Sequence, residues 1–259
     1  MNVFTQFIRS LHSPKHIAMF RFQGIGKTIL YIFVLMLITL IPSGIVFGTN
    51  FSQMFHHFDE ALGENSPNFK ITNGILEADF DNPYIAGVND YYFIIDPKNE
   101  LDRIDIAKQY ESAIVLTERD ALFINHTDIQ EIRYRNFGNI NFTKDELHSF
   151  VKSLLDLLPI LIPILLVFIY LLVTGLKFVG VSVLAIIGFA LIKFVKPNNI
   201  NYRHLWIMSA YAVTLPTTIF NVVNAFNIHL PASFGIYWII ATAMLYTALN
   251  SIPKRKTTE

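Results

Sequence analysis

Thr214, Thr217, Thr218, Asn221 and Asn224 recur at helical spacing within an otherwise apolar stretch, so one helix face carries hydroxyls and amides. Such groups need partners when water is absent. The stripe points either to hydrogen bonds with Ser209, Thr242, Tyr246 or Thr247 of neighbouring helices or to a hydrated groove that holds a substrate. Ionisable side chains at membrane depth are functional candidates by default. Asp156 and Lys177 are the two that qualify, away from the ends of the apolar segments, and both are expected near the interfaces.

Other chemistry-bearing residue types do not complete a motif. Gly24-Ile25-Gly26-Lys27-Thr28 resembles the end of a phosphate loop, but Arg21 stands where the pattern needs its first glycine, and no strand precedes it. A hinge with Lys27 anchored at headgroups is the plainer reading. Glu77, Asp79 and Asp81 alternate like the opening of a calcium loop, yet Asn82 replaces the turn glycine and Val88 the closing glutamate. The pair His12 and His16 lacks a third ligand, and His56-His57 beside Asp59-Glu60 would point apart on a helix. Asn125-His126-Thr127 and Asn141-Phe142-Thr143 match glycosylation acceptors, which matter only in a eukaryotic secretory compartment. There is no H-E-x-x-H, no nucleophile elbow and no carboxylate pair within the apolar segments. No catalytic, cofactor-binding or metal-binding residue is assigned.

These groups are carried by apolar segments. The 259 residues are 53% hydrophobic and 15% charged, against roughly a quarter charged in soluble domains. A membrane protein is expected. Its formal charge of zero divides into +4 for 1–47, −10 for 48–150 and +6 for 151–259. That balance argues against a basic nucleic-acid binder and a disordered acidic chain, and the absence of cysteine removes disulfides and thiolate chemistry.

Residues 28–47 supply one uncharged span, read as an uncleaved anchor because its apolar run is too long for a signal peptide and ends without an A-x-A-like site. The block 151–252 is read as four further helices, at about 151–174, 177–196, 205–226 and 232–252, with turns at Thr174, Gly175 and Lys177 and at 227–231. A basic tail follows at 253–259. Pro159, Pro163 and Pro216 should bend their helices. Five spans distribute Lys and Arg almost evenly, so the segment 1–27, with Arg9, Lys15, Arg21 and Lys27 as basic interfacial anchors, places the N-terminus in the cytoplasm. The rival arrangement makes 178–195 re-entrant and gathers the eleven basic residues of 1–27 and 177–256 on the cytoplasmic side. Phe4, Phe7, Ile8 and Leu11 form an apolar stripe, and Ser13-Pro14 starts a second short helix, giving an amphipathic interfacial element.

Residues 48–150 hold 18 of the 20 acidic side chains and read as an extracytoplasmic α+β domain. Asn73-Gly74 marks a hairpin, residues 92–95, 113–117, 121–124 and 129–134 are strand-like, and 101–110 suit a short helix. Helical stalks at 51–58 and 144–151 continue the spans.

The opening 13–28, SPKHIAMFRFQGIGKT, resembles that of a bacterial membrane family of undefined function, mostly from Firmicutes, some of whose members are labelled maltodextrin utilisation proteins. A more distant likeness, carried by Tyr202-Arg203, Tyr211 and Pro216, is to Yip-type five-span membrane proteins. The resemblance implies a mainly α, five-helix bundle in the bacterial cell membrane that binds partner proteins or organises membranes, with no catalytic residues. The acidic insert departs from the Yip pattern. Three functions follow in order: a non-enzymatic accessory or regulatory protein whose outer domain binds or senses a ligand or partner, a transporter or transport-complex subunit using the polar face 214–224, and last an intramembrane enzyme. The expected partners are the lipid bilayer and another membrane protein, with no cofactor and no nucleic acid.

Overall fold

The computed structural model describes residues 2–63, 66–88, 90–125, 128–138, 141–226, 228 and 231–253. His126 and Thr127 of the acceptor 125–127, most of the expected turn at 227–231 and the basic tail from Lys254 lie outside them. In chain order the elements are α1 (Val3–His12), α2 (Pro14–Phe20), α3 (Ile25–Ala61), β1 (Phe69–Thr72), β2 (Ile75–Ala78), β3 (Tyr84–Val88), β4 (Tyr91–Asp96), α4 (Arg103–Gln109), β5 (Ser112–Thr117), β6 (Asp120–Asn125) and β7 (Asp128–Arg133). A 3-10 turn (Tyr134–Phe137), β8 (Phe142–Thr143), α5 (Lys144–Val195), α6 (Tyr202–Ala212), α7 (Thr214–Ala225) and α8 (Ser233–Asn250) complete the chain. They form two units, Met1–Phe47 with Pro163–Glu259, and Gly48–Ile162.

Among the described residues four helices are long and apolar enough to cross a membrane: Ile25–Ala61, Lys144–Val195, the α6–α7 pair Tyr202–Ala225, and Ser233–Asn250. The turn expected at Thr174, Gly175 and Lys177 does not form, and 151–174 and 177–196 belong to one 52-residue helix. Breaking it would strip carbonyls and amides of their partners in apolar surroundings, whereas one glycine inside a helix costs only about 1 kcal/mol relative to alanine. Packing also favours continuity. Tyr170 Oη donates to the Phe33 carbonyl at 3.0 Å, and the Phe178 ring lies 5.6 Å from that of Phe33 and 6.4 Å from that of Trp206. Pro159 and Pro163 lie within this helix. Pro216 does interrupt: α6 ends and α7 begins around Val213. Proline offers no N–H to the Ala212 carbonyl, and its ring crowds that oxygen.

In the first unit α1 is capped by Asn2, whose Oδ1 accepts from Thr5 N at 2.8 Å. Its polarity is inverted relative to a helix on a water-soluble core. Gln6 and Ser10 are buried, while Phe4 and Ile8 of the expected apolar stripe are 63% and 57% exposed. The polar side meets buried tyrosines, described below, while Phe7 of the apolar stripe packs against the core of this unit. Helix α2 packs against α6 and α8, burying Ile17, Ala18 and Phe20 in one core with Leu35, Leu184, Leu205, Met208 and Leu245. Residues 1–27 thus contribute a packed layer of this unit. Residues 21–24, ending in Gly24, link α2 to α3, Lys27 lies in the first turn of α3, and Thr28 N closes that turn on the Gly24 carbonyl at 3.2 Å.

The second unit is the α+β region. Asn73 (φ 53°) and Gly74 (φ 78°) form the two-residue turn between β1 and β2, because positive φ at both positions matches the strand twist. β8 pairs with β1, giving the order β2-β1-β8. A five-stranded sheet runs β3-β4-β5-β6-β7, antiparallel except for β4 and β5. That parallel pair needs a crossover, which α4 supplies. Alternation divides the strands between two cores. Phe93, Ile95 and Leu116 pack with Leu62, Phe69, Leu76, Tyr134 and Val151, whereas Ile94, Val115 and Leu122 pack with Ile106 of α4. Residue 134, read as strand, instead enters the 3-10 turn, where Tyr134 Oη donates to the Thr117 carbonyl at 3.1 Å.

Candidate functional site

The first unit is built around hydroxyls and amides that hydrophobic periodicity would place outside. Tyr211, fully buried on α6, points its hydroxyl at Gln6 Oε1 (2.8 Å) and Gln23 Oε1 (3.1 Å). Tyr31 on α3 stacks on it, ring centroids 4.2 Å apart, and its own hydroxyl meets Thr214 Oγ1 at 2.6 Å. Phe20 closes the aromatic group 4.6 Å from the Tyr211 ring. Four helices, α1, α3, α6 and α7, and the link after α2 therefore meet through one polar knot.

The expected polar face of α7 separates into three behaviours. Thr214, Thr217 and Asn221 reach other helices: Thr214 meets Tyr31, Thr217 meets Lys177 and Tyr237, and Asn221 Nδ2 donates to Thr39 Oγ1 at 2.9 Å. Thr218 turns back to its own helix, donating to the Thr214 carbonyl at 2.9 Å. Asn224 is exposed. The partners differ from those expected. Ser209 is fully buried on α6, Thr242 and Tyr246 line a shallow groove with Leu191, Trp238, Ile239 and Ala243, and Thr247 donates to carbonyls of its own helix.

A second polar centre surrounds Lys177. Its Nζ lies 3.1 Å from Thr217 Oγ1 and 3.1 Å from Tyr237 Oη, and those two hydroxyls are themselves 3.1 Å apart. The ammonium also lies 4.8 Å from the centre of the Tyr237 ring. Lys177, on α5, thus reaches hydroxyls of α7 and α8.

The remaining sequence candidates are scattered. Tyr202 stacks on Phe189 at 5.9 Å, Arg203 reaches the Gln23 carbonyl at 3.4 Å, and Pro216 is buried at the α6–α7 break. Of the basic anchors, Lys15 and Lys27 are exposed, while Arg9 and Arg21 are half-buried, Arg21 over the Phe22 ring at 4.1 Å. His16 meets Ser13, and His57 stacks on Tyr91. In the second unit Lys70 of β1 pairs with Glu77 of β2, and Lys98 after β4 pairs with Asp81 before β3. Arg103 bridges Asp120 and Glu131, so Arg103 and Arg133 hold the Glu131 carboxyl below its usual range. The buried Asp96 carboxylate accepts from Glu100 N (3.0 Å) and Leu101 N (2.9 Å), fixing the loop into α4. Among the described residues no three histidine, aspartate or glutamate side chains converge on a common point.

Residue-type reading missed Gln6, Gln23, Tyr31 and Tyr237. Gln6 and Ser10 share a face at i, i+4 opposite the apolar stripe, which was the available signal for a polar face turned inward.

These features define a mostly helical protein with four potential membrane-crossing helices and an inserted α+β region. The chain belongs to the family described as protein of unknown function (DUF1189), whose profile matches residues 4–249. Neither the curated proteins nor the solved structures contain a match.

Proposed function

We propose that this chain is a non-enzymatic accessory or regulatory protein of the bacterial cell membrane, with its helical unit in the bilayer and residues 48–150 outside, where they bind or sense a ligand or partner. The observation that carries this reading is the division of charge. Residues 1–47 and 163–259 contain eleven Lys and Arg but a single acidic residue, Glu259, whereas 48–162 contain nineteen acidic residues. With α5 as one crossing, Arg9, Lys15, Arg21, Lys27, Lys193, Lys196, Arg203, Lys254, Arg255 and Lys256 all fall on the N-terminal side. The connection between α7 and α8 has no Lys or Arg. That is the distribution expected when the basic side is cytoplasmic. A five-span, Yip-like bundle would require α5 to break near 174–177, returning Lys177 alone to the cytoplasmic side and the later basic residues to the outer one. Reporters fused within 85–90 and after Glu259 test the reading: an outside insert with an inside C-terminus supports four spans, and a cytoplasmic insert overturns the proposal.

A second reading, a transport-complex subunit, draws on Lys177, because an ionisable group among spans commonly marks a translocation path. Substrate-dependent flux in vesicles containing this protein alone would favour it.

A further inference from the structure

Lys177 has no counter-charge that its own unit can supply. In 1–47 and 163–259 the only carboxyl side chain belongs to Glu259, and along α5 the nearest charged residues are Asp156, 21 positions earlier, and Lys193, 16 positions later. At 1.5 Å per residue those lie about 31 and 24 Å away along the helix. Neighbouring pairs fix the depth. Thr214 meets Tyr31 and Asn221 meets Thr39, so Thr217, which holds the ammonium, lies level with the interior of the apolar run 28–47. Two neutral hydroxyls and an aromatic ring are its partners. Such groups soften the desolvation of an ammonium without neutralising it.

Three sources of negative charge are conceivable, and the geometry separates them. A second copy brings no acidic residue to this depth. A phospholipid headgroup sits at the bilayer surface, roughly 10 Å from this level at 1.5 Å per residue counted from Thr28 to the α3 segment opposite Thr217. A transmembrane helix of another protein carries a carboxylate at any depth its sequence dictates. The surface beside Lys177 suits such a helix: Leu176, Gly180 and Val183 follow at i, i+4 and i+7, Leu176 is 64% exposed, and nothing lies within 4 Å of a Cβ built on Gly180. Small residues let helix backbones approach closely in lipid.

We infer that Lys177 is the docking cation for a partner membrane helix that presents an aspartate or glutamate at mid-depth and lies against the Leu176–Gly180–Val183 strip of α5. The inference rests on the membrane reading proposed above and names the chemistry of the partner.

The test uses the full chain reconstituted in vesicles of phosphatidylcholine and phosphatidylglycerol, with dansylated leucine-rich transmembrane peptides bearing central Asp, Asn or Leu. Energy transfer from Trp206 and Trp238 reports association. The Asp peptide should bind at least tenfold more tightly than the Leu peptide, with that preference lost in Lys177→Met and kept in Lys177→Arg. Equal binding of the Asp and Leu peptides to the unaltered chain overturns the inference and needs no variant to fold. Equal Asp-peptide binding by Lys177→Met overturns it as well. Lys177-dependent retention of phosphatidylglycerol in native mass spectra, undisplaced by the Asp peptide, would assign the counter-charge to lipid instead. Lys177→Cys, the sole thiol in the chain, separates the two levels of the argument. Labelling by a membrane-impermeant maleimide would overturn the membrane reading itself, whereas a shielded thiol without Asp preference overturns only the partner.

Discussion

Tyr31 and Tyr211 stack with ring centroids 4.2 Å apart, yet their hydroxyls diverge, one to Thr214 and the other to Gln6 and Gln23. The pair joins the N-terminal segment to α3, α6 and α7. Tyr211→Phe leaves the rings stacked but removes the hydroxyl facing two amide oxygens. The expected loss is about 1–2 kcal/mol, since buried polar groups left unmatched are costly while hydrogen bonds between membrane helices are individually modest. Tyr31→Phe should cost less, about 0.6 kcal/mol for one interhelical bond. Unfolding in mixed micelles followed by circular dichroism measures both, and equal stability of Tyr211→Phe and the unaltered chain would refute the knot's role.

The continuity of α5 sets a distance. Spin labels on cysteines introduced at 165 and 185, in a chain with no natural cysteine, should lie about 30 Å apart along an unbroken helix. A hairpin turning at 174–177 would bring them to about 10 Å, the spacing of packed helices. A short distance in lipid would restore the five-span arrangement.

Gly188 and Gly180 lie on the same helix in opposite circumstances. A Cβ on Gly188 would meet Leu205 Cδ2 at 2.9 Å and Leu245 Cδ2 at 3.3 Å, both leucines fully buried. Gly188→Val should therefore destabilise the unit by about 1–3 kcal/mol through overpacking. Gly180→Ala enters open space and should be neutral or gain up to about 1 kcal/mol from helix propensity. Thermal denaturation in detergent ranks the two, and a tolerated valine at 188 would contradict the packing.

Tyr134 makes the stability of the α+β region sensitive to alkali. Burial, reinforced by the Asp120 charge, raises its phenol above the ordinary value of 10. The folded state holds the neutral form, so this contribution is complete below about pH 10 and is lost as pH rises beyond it. Tyr134→Phe should lose about 1 kcal/mol at neutral pH, the worth of the hydrogen bond to the Thr117 carbonyl, and show a weaker decline above pH 10. Pulse proteolysis of the detergent-solubilised full chain between pH 8 and 11 distinguishes the two profiles.

Local chemistry was most readable where it was self-contained. Asn73-Gly74 specifies its turn from backbone conformation alone, and Thr214, Thr217 and Asn221 announce a polar face through spacing. Their partners were hidden because Tyr31, Lys177 and Thr39 come from helices whose hydropathy signals only immersion. The reading of 174–177 failed for a related reason. Glycine beside lysine is a turn signal in water, but in apolar surroundings the backbone keeps its hydrogen bonds and the lysine finds acceptors on α7 and α8. The inward side of α1 was obscured because the apolar stripe of Phe4, Phe7, Ile8 and Leu11 drew the reading, while the burial of Gln6 and Ser10 depends on tyrosines supplied by distant helices.

On the membrane reading proposed above, the Lys177 ammonium has an electrical consequence. Carrying one unit charge across the whole bilayer does work of about 2.3 kcal/mol per 100 mV, so at 100 mV each ångström that Lys177 shifts along the membrane normal changes the energy by about 0.08 kcal/mol. Because the apolar helices of this unit carry no carboxyl between Pro163 and Asn250, a response to an energised membrane would run through this fixed charge, and a carboxylate pairing with it would silence that sensitivity.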